Sequence, residues 1–170
     1  MVEGKLVLIA AVAENGVIGL NGEMPWRLKK ELKMFREFTM GHGVVMGRNT
    51  AQSLERARAF PLDGRYNVVI STSEDYNGVW DNVMSTGSLS FGLEHAGRHH
   101  PDGIAHVIGG GQIYAATINM SETIGLRLTR VHQSPQGDTY FPQDYEGRFR
   151  LVGSEPYLDL GYTIETWEKI

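Results

Sequence analysis

Four short runs of apolar residues constrain the fold of this chain more than any other feature. They are nearly continuous and rich in β-branched residues, as expected of strands buried on both faces of a mainly parallel sheet: Lys5–Ala13, Gly43–Met46, Tyr66–Ser71 and Ala105–Ile108. Helical or loop segments connect these runs: Trp26–Thr39, a segment that starts near Asn49, Ser88–Ala96 and Gln112–Ile118. This alternation predicts an α/β domain.

The last third of the chain has a different pattern. Apolar residues alternate with polar or charged ones in Leu126–His132, Arg148–Glu155 and Tyr162–Glu168, and a turn at Asp159–Gly161 joins the last two segments. This pattern predicts an antiparallel hairpin at the edge of the sheet. The sequence contains no internal repeat or linker, so we expect its 170 residues to form one domain spanning residues 1–170.

Composition and charge exclude several classes of partner. The formal net charge is -4 and no basic run is longer than Lys29-Lys30, which argues against nucleic-acid binding. The absence of cysteine excludes disulfides and thiolate metal ligands, and is compatible with a reducing compartment. Met1–Lys5 leads into a strand-like run rather than a signal peptide, and no stretch approaches the roughly 20 apolar residues of a membrane span. We therefore expect a cytoplasmic protein with no membrane partner.

One carboxylate, Glu31, lies on the apolar face of the first predicted helix. It falls three residues after Leu28 and four before Phe35, within a stripe that Leu32 and Phe38 complete. An unpaired buried carboxylate is costly, so it either binds a proton or meets a hydrogen-bond donor. Such a residue is a functional candidate. The alternative is an acid at the edge of the stripe that reaches water or the neighbouring lysine and arginine residues.

A triple glycine follows the fourth apolar run and precedes a predicted helix. Gly109–Gly111 would expose bare backbone amides and a helix N-terminus at the end of a strand, a place that suits phosphate. The segment departs from the Rossmann fingerprint, because Tyr114 replaces the third glycine, and it lacks the Lys-Ser/Thr of a P-loop. The alternative is a tight turn that lets helix and strand pack closely.

Two further strand ends carry groups suited to an anion. Arg48 follows the second apolar run, where it either grips a phosphate or pairs with a surface acid. The hydroxyls of Ser71 and Thr72 emerge at the end of the third run, on the same edge if the strands are parallel and adjacent. Together these strand ends favour a cofactor rich in phosphate.

The remaining candidates are weaker. The loop Glu14–Glu23 either closes over a ligand or only connects, and Thr129 is a hydroxyl that could satisfy a buried carboxylate. The histidines His95, His99, His100 and His106 could suggest a metal site. We expect none, because His99–Gly103 is typical of an exposed turn and no matching ligand cluster accompanies it. No Ser-His-Asp or Gly-x-Ser-x-Gly arrangement supports acyl transfer.

Over nearly its whole length the sequence resembles the dihydrofolate reductase family. The resemblance rests on the order and spacing of these segments: Ile9–Ala11, Val17–Gly19, Met24–Trp26, Glu31, Val45–Thr50, Ile108–Gly111 and Gly137–Pro142. It implies a mostly parallel, eight-stranded central sheet with flanking helices and a C-terminal antiparallel hairpin. It also implies that NADPH and dihydrofolate meet in a cleft, that antifolates are potential inhibitors, and that the protein is a monomer.

The resemblance also assigns roles on the substrate side. Glu31 would bind the pterin and help deliver a proton to N5 while NADPH gives hydride to C6, with Thr129 as its partner hydroxyl and Trp26 ordering a nearby water. Arg65 would clamp the glutamate α-carboxylate of the substrate. The other implied substrate contacts are apolar or small: Ile9, Ala10, Leu32, Phe35, Leu54, Leu62 and Ile108.

On the cofactor side, the resemblance implies contacts from many small residues near strand ends. These are Ala11, Ile18, Gly19, Gly47, Arg48, Asn49, Thr50, Ser71, Thr72, Ile108, Gly109, Gly110, Gly111, Gln112, Ile113 and Tyr114. The bond between Gly109 and Gly110 is commonly cis in this family. Arg48 and Ser71 would lie near the adenosine 2′-phosphate and favour NADPH over NADH.

The sequence departs from the family pattern at three places. Ala51 stands where a large aromatic is usual, Gly43 replaces a common proline, and Glu55–Phe60 is longer and more charged than the usual turn. These differences concern the benzoyl-glutamate end of the expected pocket. Two alternatives remain open: the related pyrimidine reductase of riboflavin synthesis, against which Met24–Trp26 followed by Glu31 argues, and a nucleotide-binding module in which Glu31 is only structural.

Overall fold

A computed structural model describes residues 4–170, so most of the segment Met1–Lys5, for which we expected no signal peptide, lies outside the described residues. In chain order the strands are β1 Lys5–Ala13, β2 Val17–Gly19, β3 Gly43–Gly47, β4 Tyr66–Ile70, β5 Val83–Thr86, β6 Ile104–Gly109, β7 Thr123–Val131, β8 Thr139–Tyr140, β9 Phe149–Tyr157 and β10 Tyr162–Lys169. The helices are α1 Lys29–Thr39, α2 Arg48–Arg56, α3 Leu89–Gly97 and α4 Gly111–Thr117. A short 3-10 turn, Leu158–Leu160, precedes β10.

Eight of the strands form one sheet in the order β5-β4-β3-β6-β1-β7-β10-β9. All neighbouring pairs from β5 to β7 are parallel, whereas β10 runs antiparallel to both β7 and β9. The predicted α/β class, the eight-stranded sheet and the C-terminal hairpin at its edge are therefore confirmed. The turn of the hairpin ends at Gly161, whose φ of 82° lies in the left-handed region that favours glycine.

Apolar residues that alternate along the central strands build a core on each face of the sheet. Leu6 and Leu8 of β1 pack with Val45, Val107 and residues of α3 in the larger cluster. Val44, Met46 and Val69 point to the other face, where they pack with Ala51 of α2 and Leu62. The near-continuous apolar runs in the sequence thus reflect strands covered on both sides.

The structure adds elements that the sequence patterns did not reveal. β5 extends the sheet by one parallel strand, and β2 lies inside the loop Glu14–Glu23, where it pairs with β8 in a separate two-stranded sheet. Strands of two to four residues are too short to show a hydrophobic period. α1 begins at Lys29 rather than Trp26, because Leu28 is extended, with φ −122° and ψ 93°. Among residues 4–170, no helix is both long and apolar enough to cross a membrane.

The glycine at the start of β3 has a steric explanation. A Cβ atom at Gly43 would overlap the carbonyl oxygen of Ala96 in α3 and lie 2.6 Å from the Ala96 Cα. Both atoms belong to the backbone of a packed helix, so neither can move without shifting α3. Close packing of α3 against β3 therefore requires glycine at this position.

We expect Gly43→Ala to lower the free energy of unfolding by about 2 kcal/mol or more, because the added methyl group forces α3 away from the sheet. The free energy is measured by urea unfolding. Gly147→Ala is the matched control, since a Cβ there meets no atom within 4 Å and the φ angle is not left-handed. Equal stability of the two variants would show that α3 does not need this close approach.

Candidate active site

A cleft opens where the carboxyl ends of β1, β3 and β6 meet the first turns of α1, α2 and α4. Its volume is about 980 Å³, at the upper end of the range for small-molecule sites. In an open α/β sheet this crevice, outside the carboxyl ends of the strands, is the usual place for a ligand. Most of the predicted site residues line it: Ile9, Ala10, Ala11, Ile18, Gly19, Glu31, Leu32, Phe35, Gly47, Arg48, Asn49, Thr50, Leu54, Leu62, Ile108, Gly109, Gly110, Gly111, Gln112, Ile113 and Tyr114.

Glu31 reaches the cleft from the first turn of α1. Its Oε1 atom accepts a hydrogen bond of 3.1 Å from the Oγ1 of Thr129, a buried residue of β7. Thr129 does not itself line the cleft, so it supports the carboxylate from behind. The expected contact between these two residues is therefore confirmed. A carboxylate in the first turn of a helix also interacts favourably with the helix dipole.

The surroundings of Glu31 favour its protonated form. Burial raises the pKa of Glu31, while the hydrogen bond from Thr129 and the positive charge of Arg127 oppose the rise without cancelling it. A carboxyl group with a raised pKa, placed in a cleft and held by one neutral donor, has the properties of a group that exchanges protons with a ligand.

The middle of the apolar stripe of α1 faces this cleft, whereas Phe38 at its end stacks on His106. Leu32 remains 41% exposed although its position predicts burial, and Phe35 lines the cleft beside it. Thr39 is the only fully buried residue of the helix. A row of exposed apolar side chains beside a partly buried carboxylate is typical of a ligand-binding wall. Leu54 and Leu62 belong to the same cleft.

The triple glycine forms the opposite part of the cleft. The peptide bond between Gly109 and Gly110 is cis, as the family resemblance implies, and Gly109 has a φ of 127°. A Cβ atom on Gly109 would lie 3.3 Å from the Tyr114 hydroxyl, and the left-handed φ disfavours any residue other than glycine here. The buried Tyr114 hydroxyl donates a 2.6 Å hydrogen bond to the Ile9 carbonyl and ties α4 to β1.

The loop between β2 and α1 covers the cleft and is held at two points. The Asn21 N–H donates to a carboxylate oxygen of Asp138 at 3.0 Å, and the Arg56 guanidinium donates to the Gly22 carbonyl at 3.3 Å. Part of this lining agrees with the expectation that the loop Glu14–Glu23 closes over a ligand, since Asn21, Gly22 and Glu23 line the cleft. Met24 belongs to the segment Met24–Trp26, and Asp138 and Thr139 belong to Gly137–Pro142, but none of the three was named as a site residue. The lining residues without any signal in the sequence are Gln52, Ser53, Arg56 and Ile70.

Besides Thr129, four predicted residues do not line the cleft. Trp26 is partly buried in the extended segment before α1, and Ser71 and Thr72 follow Ile70, which does line it. The Ser71 hydroxyl already accepts a hydrogen bond from the Ser73 N–H. Arg65 is only 5% exposed, and its guanidinium donates to the Asp63 carbonyl and the Thr39 hydroxyl.

The unusual segment after α2 packs on its own cluster of rings. The edge of the Phe60 ring contacts Tyr76 and Trp80, with ring centroids 5.3 Å apart in both pairs. The Tyr76 hydroxyl donates a 2.6 Å hydrogen bond to Glu55. Ala51, where the family usually has a large aromatic, is fully buried beneath this region. Leu54 and Leu62, which flank the segment, nevertheless reach the cleft as expected.

Comparison with protein families agrees with this geometry. The family model described as dihydrofolate reductase matches residues 5–168. Dihydrofolate reductase HdrB of Haloferax volcanii is 37% identical over 166 residues, which cover 97% of this chain and 84% of that protein. Dihydrofolate reductase type 15 of Escherichia coli is 33% identical over 168 residues, covering 97% and 99% of the two chains.

A solved structure shares the whole fold. Dihydrofolate reductase from Enterococcus faecalis, complexed with NADP(H) and RAB-propyl, superposes with a TM-score of 0.80. The two sequences are 28% identical, and the match covers 99% of this chain and 98% of the other.

We expect Thr129→Val to raise the pKa of Glu31 further, because the variant loses the hydroxyl that stabilises the ionised carboxylate. The pKa is measured from the carboxyl carbon resonance of Glu31 as a function of pH. Thr163→Val is the matched control, since the Thr163 hydroxyl contacts His132 instead. A Glu31 pKa that stays the same or falls would show that the hydrogen bond from Thr129 does not stabilise the ionised form.

Proposed function

The chain belongs to the dihydrofolate reductase family, and from this premise we propose how its residues perform the NADPH-dependent reduction of dihydrofolate to tetrahydrofolate. The observation that carries the proposal is the Glu31 carboxylate, held by Thr129 at an apolar cleft that also contains the glycine turn. Family membership sets aside the pyrimidine reductase and the non-catalytic nucleotide-binding module.

Glu31 is the acidic group that binds and orients the pterin ring. An acid with a raised pKa holds its proton to a higher pH, so it can supply a proton towards N5 of the substrate. Thr129 is a positioning residue that fixes the direction of the carboxylate, and Trp26 orders the water through which the proton passes. The apolar wall of Leu32, Phe35 and the neighbouring leucines excludes other water and strengthens the electrostatic effect of Glu31.

The residues opposite Glu31 fit a dinucleotide cofactor. The backbone of Gly109–Gly111 lines the cleft without side chains, and Asn49 and Thr50 of the first turn of α2 line the same space. Bound NADPH supplies the hydride that reaches C6 of dihydrofolate. Ala11, Ile18 and Gly19 complete the cofactor contacts from the β1 and β2 side.

Arg48 is the residue that selects for the adenosine 2′-phosphate. Its exposed guanidinium lies 3.3 Å from a carboxylate oxygen of Asp75, an ion pair that a phosphate can replace at little cost because both partners are exposed. Ser71 is the second proposed contact and follows β4 directly. The adenosine end of the cofactor, with its 2′-phosphate, would then lie on the α2 side of the cleft.

Arg65 is proposed as the partner of the substrate's glutamate α-carboxylate. The carbonyl of Asp63 and the hydroxyl of Thr39 hold its guanidinium in one orientation. A fixed planar fork is suited to bidentate binding of a carboxylate. Antifolates are proposed to occupy the same cleft, because they would meet Glu31 and the same apolar wall.

We also propose that the protein acts as a monomer in the cytoplasm. The cleft is lined from several elements of a single chain, so no second copy is needed to complete it. The absence of cysteine is compatible with a reducing compartment.

We expect Glu31→Gln to lower turnover by about 10²-fold or more while NADPH binding stays unchanged, because the amide cannot supply a proton. The loss grows with increasing pH, where protonation of N5 is hardest. Turnover is measured from NADPH oxidation in the presence of dihydrofolate. Glu37→Gln, at an exposed position of the same helix, is the matched control. Unchanged turnover of Glu31→Gln would remove Glu31 from the chemistry.

The sign of the pKa shift adds a stability control for this variant. Folding raises the pKa of Glu31. Its contribution to the free energy of unfolding is therefore fully present below the unfolded-state pKa and is lost as the pH rises through the folded-state pKa. Glu31→Gln should therefore gain stability relative to the wild type as the pH rises. A loss of turnover that accompanied unfolding at alkaline pH would instead reflect damage to the fold.

We expect Arg48→Ala to raise the Michaelis constant for NADPH by about 10-fold to 100-fold, equivalent to one or two charge-assisted hydrogen bonds. The constant for NADH, which lacks the 2′-phosphate, should change little. Both constants are measured by steady-state kinetics, with Arg150→Ala at an exposed position of β9 as control. Equal losses for NADPH and NADH would mean that Arg48 does not recognise the 2′-phosphate.

A further inference from the structure

Three potential metal ligands converge at the amino ends of β3 and β6, away from the cleft. His42 precedes β3, whereas His100 and Asp102 belong to the turn before β6. The two carboxylate oxygens of Asp102 lie 2.9 Å from the His42 Nε2 and 2.9 Å from the His100 Nδ1. All three ligand atoms lie within 4.8 Å of one another. The expectation of no metal site rested on the turn His99–Gly103 without His42, which lies 60 residues away from Asp102 in the sequence.

The contacts around the cluster direct both rings at Asp102. The His42 Nε2 and the His100 Nδ1 each lie 2.9 Å from one Asp102 oxygen, while the His42 Nδ1 lies 3.3 Å from the Met40 carbonyl. A metal ion would replace the hydrogens that these two nitrogens share with the carboxylate. The three groups that it would bind therefore already face one another.

The carboxylate of this cluster is held in place by the backbone. One Asp102 oxygen accepts a 2.8 Å hydrogen bond from the Ile104 N–H at the start of β6. The cluster thus offers a negatively charged oxygen and two imidazole nitrogens before any rearrangement of the backbone. The side chains of His100 and Asp102 are 33% and 37% exposed, which leaves the centre open to ions and water.

We propose that His42, His100 and Asp102 bind a divalent transition-metal ion of the Zn²⁺ class, with water as a further ligand. Two imidazoles and one carboxylate form a common three-residue ligand set for Zn²⁺, and imidazole disfavours Mg²⁺ and Ca²⁺, which prefer oxygen. The Met40 carbonyl is the outer partner that orients His42, as ligating histidines usually require.

Binding requires one ring to turn. The His42 and His100 rings are stacked with centroids 3.7 Å apart and planes inclined by 13°, whereas a bound metal lies in the plane of each ring. His42 is clamped, because its other face stacks on the buried His106 at 4.2 Å and its side chain is 12% exposed. His100 has no ring on its outer face among the described residues and is the ligand that rotates.

The metal would strengthen the link between two loops that already meet through the His42–Asp102 contact and the stacked rings of His42 and His100. His42 is fixed to its own loop by the hydrogen bond from its N–H to the Thr39 carbonyl, and to β4 by the bond from the Tyr66 N–H to its carbonyl. His100 and Asp102 are fixed to the start of β6 through the Ile104 N–H. Cross-linking these loops stabilises the folded state, because the ion binds a site that the unfolded chain lacks.

The test uses the full chain without any polyhistidine tag, titrated with Zn²⁺ and separately with Co²⁺. We expect Tm to rise by about 5–10 °C when free Zn²⁺ is a hundredfold above its Kd. Co²⁺ should produce the visible absorption bands of a four-coordinate site. No rise in Tm, together with no cobalt bands, would overturn the proposal.

Variants locate the binding site. His42→Gln and His100→Gln should each abolish the Tm rise, while His132→Gln on the distant hairpin side should retain it. The neighbouring pair His95 and His99, with Nε2 atoms 3.4 Å apart, is the competing site, so His99→Gln should also retain the rise. A rise that survives His42→Gln or disappears in His99→Gln would overturn the assignment. Asp102→Asn, which keeps the acceptor for the Ile104 N–H, should also abolish the Tm rise, and a rise that survives it would overturn the assignment.

Discussion

The free energy of placing one carboxylate among apolar side chains is the constraint on which the rest of this site depends. Glu31 lies on the same helical stripe as Leu32 and Phe35, and burial raises its pKa. A hydrogen bond from neutral Thr129 fixes its direction without neutralising it, and the charge of Arg127 limits the rise. This combination raises the pKa of a carboxyl group that remains in contact with the cleft, as is typical of groups that exchange protons with a ligand.

The sheet explains why the other groups meet this carboxylate. Parallel strands bring their carboxyl ends to one edge, so the end of β1, the Gly47 junction and the glycine turn after β6 lie side by side in the order β3-β6-β1. Glycine at Gly109 allows a left-handed φ of 127° next to Thr50, and the Tyr114 hydroxyl anchors the following helix to β1. Rigid strands therefore position a site built from loops and first helical turns.

The sequence predicted the features that rest on long patterns or on local chemistry. β1 was predicted with the bounds that it has, and the interaction of Glu31 with Thr129 followed from family resemblance and was confirmed by geometry. The pairing of β2 with β8 was missed, because two or three residues carry no period. The approach of His42 to Asp102 was missed because it depends on how distant loops fold together, which one sequence does not reveal. The family resemblance marked Gly43 only as a departure from a common proline. The structure explains why glycine is needed there, because a Cβ atom would overlap the backbone of Ala96.

We propose that hydride transfer in this protein depends on a proton held by the Glu31 carboxyl group, whose pKa is raised. The most direct measurement is the single-turnover rate of NADPH oxidation by dihydrofolate as a function of pH, repeated with deuterium at the transferred position. We expect the rate to fall as pH rises through one pKa above the usual carboxyl range, with a deuterium isotope effect throughout. A rate that is independent of pH, or that increases with pH, would contradict the account.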